Sequence, residues 1–181
     1  MQIKYISDLH LFDSYSLDWR SDFKTLESFA DYLLEEWNRF TEPNDIVIIV
    51  GDIGFYCPKT IEVLKKLNGR KILVKGNHDI EWGSNLYTCG VFGGVHDYIS
   101  SNGIYVQHIP EVINTPHQYY IHGHHHRYDM PGMQRKLEQY AQDTYRLNCA
   151  ADLLDFHPQS ITELILSKEV LLDDMRISGL I

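Results

Sequence analysis

Cysteine, proline and basic charge are all scarce in this chain, and each shortage argues against a class of protein. The three cysteines, Cys57, Cys89 and Cys149, are odd in number, far apart and never spaced as Cys-x-x-Cys. That pattern does not suit a disulfide-stapled secreted scaffold and fits reduced thiols in a cytoplasmic protein. Six prolines in 181 residues leave no proline-rich linker or low-complexity tract. Lys and Arg total 16 against 25 Asp and Glu, a formal net charge of −9. Nucleic-acid tracks need a basic excess, so nucleic acid is disfavoured as a partner, although bound metal ions reverse the field locally. No run approaches the roughly 20 apolar residues of a membrane span, so no membrane association is expected. The opening Met1-Gln2-Ile3-Lys4-Tyr5-Ile6 is too short and polar for a signal peptide and reads as a strand.

What is present is an ordinary globular composition, 44% hydrophobic and 23% charged. The length predicts one domain over 1–181. From Asp22 to Phe40 the apolar residues Phe23, Leu26, Phe29, Ala30, Leu33, Leu34, Trp37 and Phe40 step by threes and fours, which predicts an amphipathic helix with Ser21 as its cap. Ile46 to Val50 is an unbroken β-branched run, the mark of a strand buried on both faces. Pro58 opens a second helix that Asn68-Gly69 stops, and Ile72 to Val74 is the next strand. This alternation implies parallel crossovers. The second half is predicted as short strands at 91–95, 104–106, 119–121 and 144–149, with a helix near 133–141. Ser160-Ile161-Thr162-Glu163 is a capping box for a short helix through Leu166. The tail from Lys168 carries no assignment.

Polar clusters stand mostly where these strands end. Asp8-x-His10 follows the first, Gly51-Asp52 the second and Gly76-Asn77-His78-Asp79 the third; His108 follows 104–106, and Gly123-His124-His125-His126 follows 119–121. Strand ends that meet at one sheet edge form sites. In extended chain, residues i and i+2 point the same way, so Asp8 and His10 can grip one ion while His124 and His126 reach two neighbouring ones. Carboxylates, imidazoles and an amide form a mixed oxygen/nitrogen set. That set suits Mn, Fe, Zn, Co or Ni better than Mg or Ca, with manganese the leading candidate. Each cluster has a bland alternative as a turn, an Asx-turn or a histidine-rich tract, and only their joint order carries weight.

Taken together, Asp-x-His, Gly-Asp, Gly-Asn-His-Asp, an isolated His and Gly-His-x-His resemble the calcineurin-like metallophosphoesterase superfamily from Ile3 to about Leu166. The segment Arg146–Asp152 with Pro158 and Ile161–Leu164 is similar to the C-terminal strand and helix of its small bacterial and phage members. The resemblance implies an α/β fold, a four-layer α/β/β/α sandwich with two mixed sheets. It implies that Asp8, His10 and His126 hold one metal, that Asn77, His108 and His124 hold a second, and that Asp52 bridges them. It further implies hydrolysis of a phosphomonoester or phosphodiester by a hydroxide between the ions, with His78 as general acid and Asp79 orienting its ring. Protein phosphatases of the superfamily continue the second motif as Gly-Asp-x-x-Asp-Arg-Gly. Here Phe55 and Tyr56 replace the Asp and Arg, which disfavours a phosphoprotein, while the acidic composition and the lack of an obvious cap domain favour a small soluble phosphoester. A nuclease or cyclic-nucleotide phosphodiesterase using the same site, or a metal-binding scaffold without turnover, are the alternatives. His125 stands where the family more often has a small residue. His96, His117 and His157 have no motif context, and His122 reads as structural. Tyr119 and Tyr120 read as sheet packing. Phe55 and Tyr56 either pack or line a pocket mouth that stacks on an aromatic group.

Overall fold

The β-branched run Ile46–Val50 organises the molecule. A computed structural model describes residues 1–110, 117–126 and 134–179. In it β1 (Ile3–Ile6), β2 (Ile46–Val50), β3 (Arg70–Val74) and β4 (Phe92–His96) form one sheet in that order, every neighbouring pair parallel. Parallel neighbours need crossovers, supplied by α1 (Leu26–Phe40) and α2 (Pro58–Lys66). Strand side chains alternate between faces, so β2 serves two cores. Val47 and Ile49 join Ile6, Leu73 and the helix residues Phe29, Leu33, Trp37 and Leu64. Ile48 and Val50 join Tyr5 and Val74 and meet Val106, Ile121 and Leu147 of a second sheet.

That second sheet contains β5 (Ile99–Ser101), β6 (Ile104–Val106), β7 (Tyr119–His122) and β8 (Arg146–Asn148). It is mixed: β5 and β6 are antiparallel and the other pairs parallel. A third cluster, Tyr140 of α4 (Gln134–Gln142) with Leu172 and Met175 of α5 (Ile161–Ile177), lies on its outer side. The layers are therefore helix, sheet, sheet, helix. Only the second sheet is mixed in its strand pairs; the first is parallel throughout, because each of its strands is separated from the next by a helical crossover or a comparably long connection. A short helix α3 (Asn85–Thr88) precedes β4.

The helix ends differ from the expectation in instructive ways. Thr25, not Ser21, caps α1, in a reciprocal box with Ser28. A box at Ser21 would need Lys24 to accept a hydrogen bond, which an ammonium cannot do. The box at Ser160 and Glu163 forms as read, but α5 continues to Ile177. Its buried stripe is Leu164, Lys168, Leu172 and Met175, and the lysine interrupts the apolar pattern. The Lys168 ammonium donates to the carbonyls of Asp143 and Arg146, which makes its burial tolerable. The expected helix near 133–141 runs over Gln134–Gln142; residue 133 lies outside the described residues. Strand β5 had no counterpart in the sequence reading. It pairs with β6 across Asn102 and Gly103, whose φ values of 50° and 76° make the tight left-handed turn that hairpins favour. Strands β1, β2 and β6 have the expected bounds, and β3, β4, β7 and β8 differ from them by one or two residues.

Strand β1 ties the layers together. Beyond its ladder with β2, Tyr5 pairs antiparallel with Gln159, and Ser7 pairs parallel with Ala150 just past β8.

Candidate metal centre

The chain turns sharply as it leaves β1, β2 and β7, and it does so at the candidate residues themselves. Asp8, His10, Asp52 and His124 have φ of 58°, 45°, 55° and 65°. Non-glycine residues seldom adopt this left-handed region, which costs of order 1 kcal/mol or more each. The loops hold each other in it: the Asp8 and His10 amides donate to the carbonyls of Gly51 and Asp52 at 3.0 Å each. Gly51 is required here, since a Cβ on it would lie 2.6 Å from both the Gly76 Cα and the His108 Nδ1. Gly123 abuts Asp8 so closely that a Cβ would meet its Oδ2 at 2.5 Å.

These turns bring the predicted residues to one point. The donor atoms of Asp8, His10 and His126 lie within 4.8 Å of one another, and so do those of Asp52, His108 and His124. Asp52 Oδ2 stands between the groups, 3.0 Å from His108 Nε2 and 3.9 Å from His10 Nε2. Asn77 joins the second group, its Oδ1 3.1 Å from His108 Nε2. His78 is exposed at the rim, its ring 5.2 Å from that of His10, and its backbone amide donates to Asp52 Oδ1 at 2.9 Å.

Three of the imidazoles are engaged on the side away from the centre. His108 Nδ1 is 2.7 Å from the Val50 carbonyl, His126 Nδ1 2.8 Å from Asp152 Oδ2, and His10 Nδ1 3.3 Å from Asp13 Oδ2. Each contact turns the ring's Nε2 inward. Asp8 Oδ2 accepts from Ser7 Oγ and from the His124 amide. The atoms left over are Asp8 Oδ1 and His10 Nε2, buried and without a hydrogen-bond partner. Such atoms are costly unless something else binds them. Two three-donor groups of nitrogen and oxygen, a carboxylate shared between them and two buried donors pointing inward fit a pair of divalent transition metals.

Charge follows the same geometry. Burial disfavours a charge on His108, but its hydrogen bond to Asp52 and the nearby carboxylates outweigh that and lift its pKa to about 9. Burial would raise Asp52, yet His108 and the His78 amide hold it down at about 2. Burial lowers His10 and His124. Holding a dication in the second group would require His108 to give up the proton that this raised pKa favours.

One expected role is corrected. Asp79 does not touch the His78 ring; its oxygens accept the backbone amides of Asp52, Ile53 and Gly76 at 3.0, 2.9 and 2.7 Å. It is a fully buried clamp that joins the loops after β2 and β3. Sequence reasoning also missed the support behind the first group. Buried Arg20 donates through Nε to Asp152 at 2.7 Å and through its two terminal nitrogens to the carbonyls of Leu9 and Asp8 at 2.8 Å. No local pattern around Arg20 marks it out. Of the other histidines, His122 is buried against Tyr120 and Tyr140, and burial pushes it down to about 3. His157 stacks on Phe40, His117 lies 3.0 Å from Ser100 Oγ, and His125 packs between His122 and His124. Tyr120 and Tyr105 stack across the second sheet, while Tyr56 packs edge-on against Trp82.

A family model described as the calcineurin-like phosphoesterase superfamily domain matches residues 1–148. The chain belongs to that superfamily. Its phosphoesterase domain has a relative in MJ1445 of Methanocaldococcus jannaschii, an uncharacterized protein that is 26% identical over 171 residues, covering 88% of this chain and 87% of the relative. In three dimensions it resembles the crystal structure of AQ665, a protein of unknown function from Aquifex aeolicus. The TM-score is 0.66 at 22% identity over 90% of this chain and 96% of the other, a likeness of fold. Among the described residues no helix is long and apolar enough to cross a membrane.

Proposed function

We propose that this phosphoesterase-superfamily chain hydrolyses a small phosphomonoester or phosphodiester using two divalent metal ions, manganese foremost. Asp8, His10 and His126 would hold one ion and Asn77, His108 and His124 the other, with Asp52 between them. The observation that carries this reading is the pair of buried donor groups meeting at Asp52, with His78 exposed beside them. Bound ions would supply a hydroxide near neutral pH and neutralise the phosphoryl oxygens. The protein's own part is to position and to move a proton. The new oxygen–phosphorus bond forms as the ester P–O bond breaks, and the departing oxygen takes a proton from the His78 imidazole. The tie from the His78 amide to Asp52 fixes that residue relative to the centre. The three free cysteines and the acidic composition support a cytoplasmic setting and a small substrate.

The test uses manganese-loaded protein with nitrophenyl mono- and diesters, cyclic nucleotides and single-stranded DNA. His78→Ala should lower kcat by roughly 100- to 10,000-fold with metal content unchanged. Equal rates in variant and parent would remove His78 from the mechanism. Turnover of single-stranded DNA above the small esters would favour the nuclease alternative, and absence of turnover on the whole panel would leave a metal-binding scaffold.

A further inference from the structure

A cleft of about 480 Å³ opens directly beside the centre, lined by His10 and His78 at its inner end. Resting on the hydrolytic reading above, this cleft has a definite place in the reaction. A general acid must lie within hydrogen-bond reach of the oxygen it protonates. The group attached to that oxygen therefore extends into the space that His78 lines, which makes the cleft the subsite for the leaving group.

The cleft's other walls specify what that group is. Phe12, Tyr15 and Phe55 contribute three aromatic side chains. Tyr15 and Phe55 are 73% and 56% exposed and present large apolar surfaces to the cleft. Phe12, at φ 56°, is half-buried and packs against the core while also lining the cleft. The charged lining is acidic: Asp13, which faces His10, and Glu81. Among the described residues that line the cleft, none is a lysine or arginine. The Lys59 ammonium, 5.8 Å from the Phe12 ring centre, is paired to Glu27 at 2.7 Å. Such a wall stacks flat rings and repels anions.

We infer that the leaving group is an aromatic ring system without further negative charge, and that Phe55, Tyr15 and Glu81 determine that preference. Polyphosphate tails and nucleic-acid strands, which carry extra anions past the scissile group, are turned away by the same carboxylates.

Phosphonates test this without turnover, because their P–C bond is not hydrolysed. Calorimetric titration of manganese-loaded protein should give phenylphosphonate an affinity about tenfold above methylphosphonate, the worth of one good ring stack. Phe55→Ala and Tyr15→Ala, both at exposed positions, should each bring that ratio toward one. 4-Carboxyphenylphosphonate should bind several-fold more weakly than phenylphosphonate, and Glu81→Gln should narrow that gap. A phenyl-to-methyl ratio near one in the parent protein, a ratio unmoved by both aromatic variants, or tighter binding of the carboxylated ligand would overturn the inference while leaving the phosphoryl site standing. If metal-loaded protein bound neither phenyl- nor methylphosphonate, the hydrolytic reading itself would fail.

Discussion

At the scale of single residues, the centre depends on side chains that never reach it. Asp152 is the hinge of this arrangement: one oxygen holds the His126 ring and the other holds Arg20. Arg20 in turn pins the carbonyls of Leu9 and Asp8, so one guanidinium and one carboxylate hold the His126 ring and the backbone that leads from Asp8 into His10. The guanidinium is supported on its flat side by Phe29, 4.3 Å away. Asp152→Asn keeps the shape but weakens the grip on both partners. Manganese affinity at the Asp8–His10–His126 group should fall by about 10- to 100-fold, the usual effect of losing such an outer partner, with the Asp52–His108–His124 group retained. A titration that shows two binding events in the parent should then show one tight and one weak event. Two unchanged events would mean that Asp152 serves only the fold.

At the scale of elements, the helix caps carry measurable stability. Ser160 accepts from the Glu163 amide and Glu163 accepts from the Ser160 amide, closing the start of α5. Ser160→Ala should cost about 1 kcal/mol and lower the thermal midpoint by a few degrees, without altering metal binding. An unchanged midpoint would show that packing alone sets the helix start. Elements were legible from the sequence where one force dominates. In the parallel sheet β2 declares itself through continuous β-branched residues, β1 and β3 through short runs around Ile3–Ile6 and Ile72–Val74, and α2 through Pro58 and Asn68-Gly69. Strand β5 escaped notice because Ile99-Ser100-Ser101 has almost no pattern, even though Asn102-Gly103 marks the turn. The second half of α5 escaped because Lys168 occupies a position that faces the core. The donor residues were legible because their motifs follow strands in a fixed order. Arg20 and Asp152 were not, since a contact spanning 132 positions leaves no local trace. Asp79 lay inside a motif yet its role was misread, because the meeting of three backbone amides on one carboxylate is a property of the folded loops.

At the scale of the whole molecule, the centre gathers residues from Asp8 to His126 and is braced by Asp152, so it exists only when the sandwich is assembled. Metal ions then bind the folded state and not the open chain, and mass action stabilises it. Manganese at a hundredfold excess over its dissociation constant should add about 2.7 kcal/mol, which for a domain of this size raises the thermal midpoint by roughly 5–10 °C. A chelator should reverse the shift, and a midpoint indifferent to manganese would contradict a preformed centre. The pairing of β1 with Gln159 and Ala150 has its own consequence. The edge of β1 away from β2 is closed only when the segment around residues 150 and 159 has folded against it. Asp8, just past this strand, thus reaches its final setting only after segments more than a hundred residues downstream have docked. Metal capture should then follow docking of the two sheets, with partly folded chains holding ions far more weakly than the assembled sandwich.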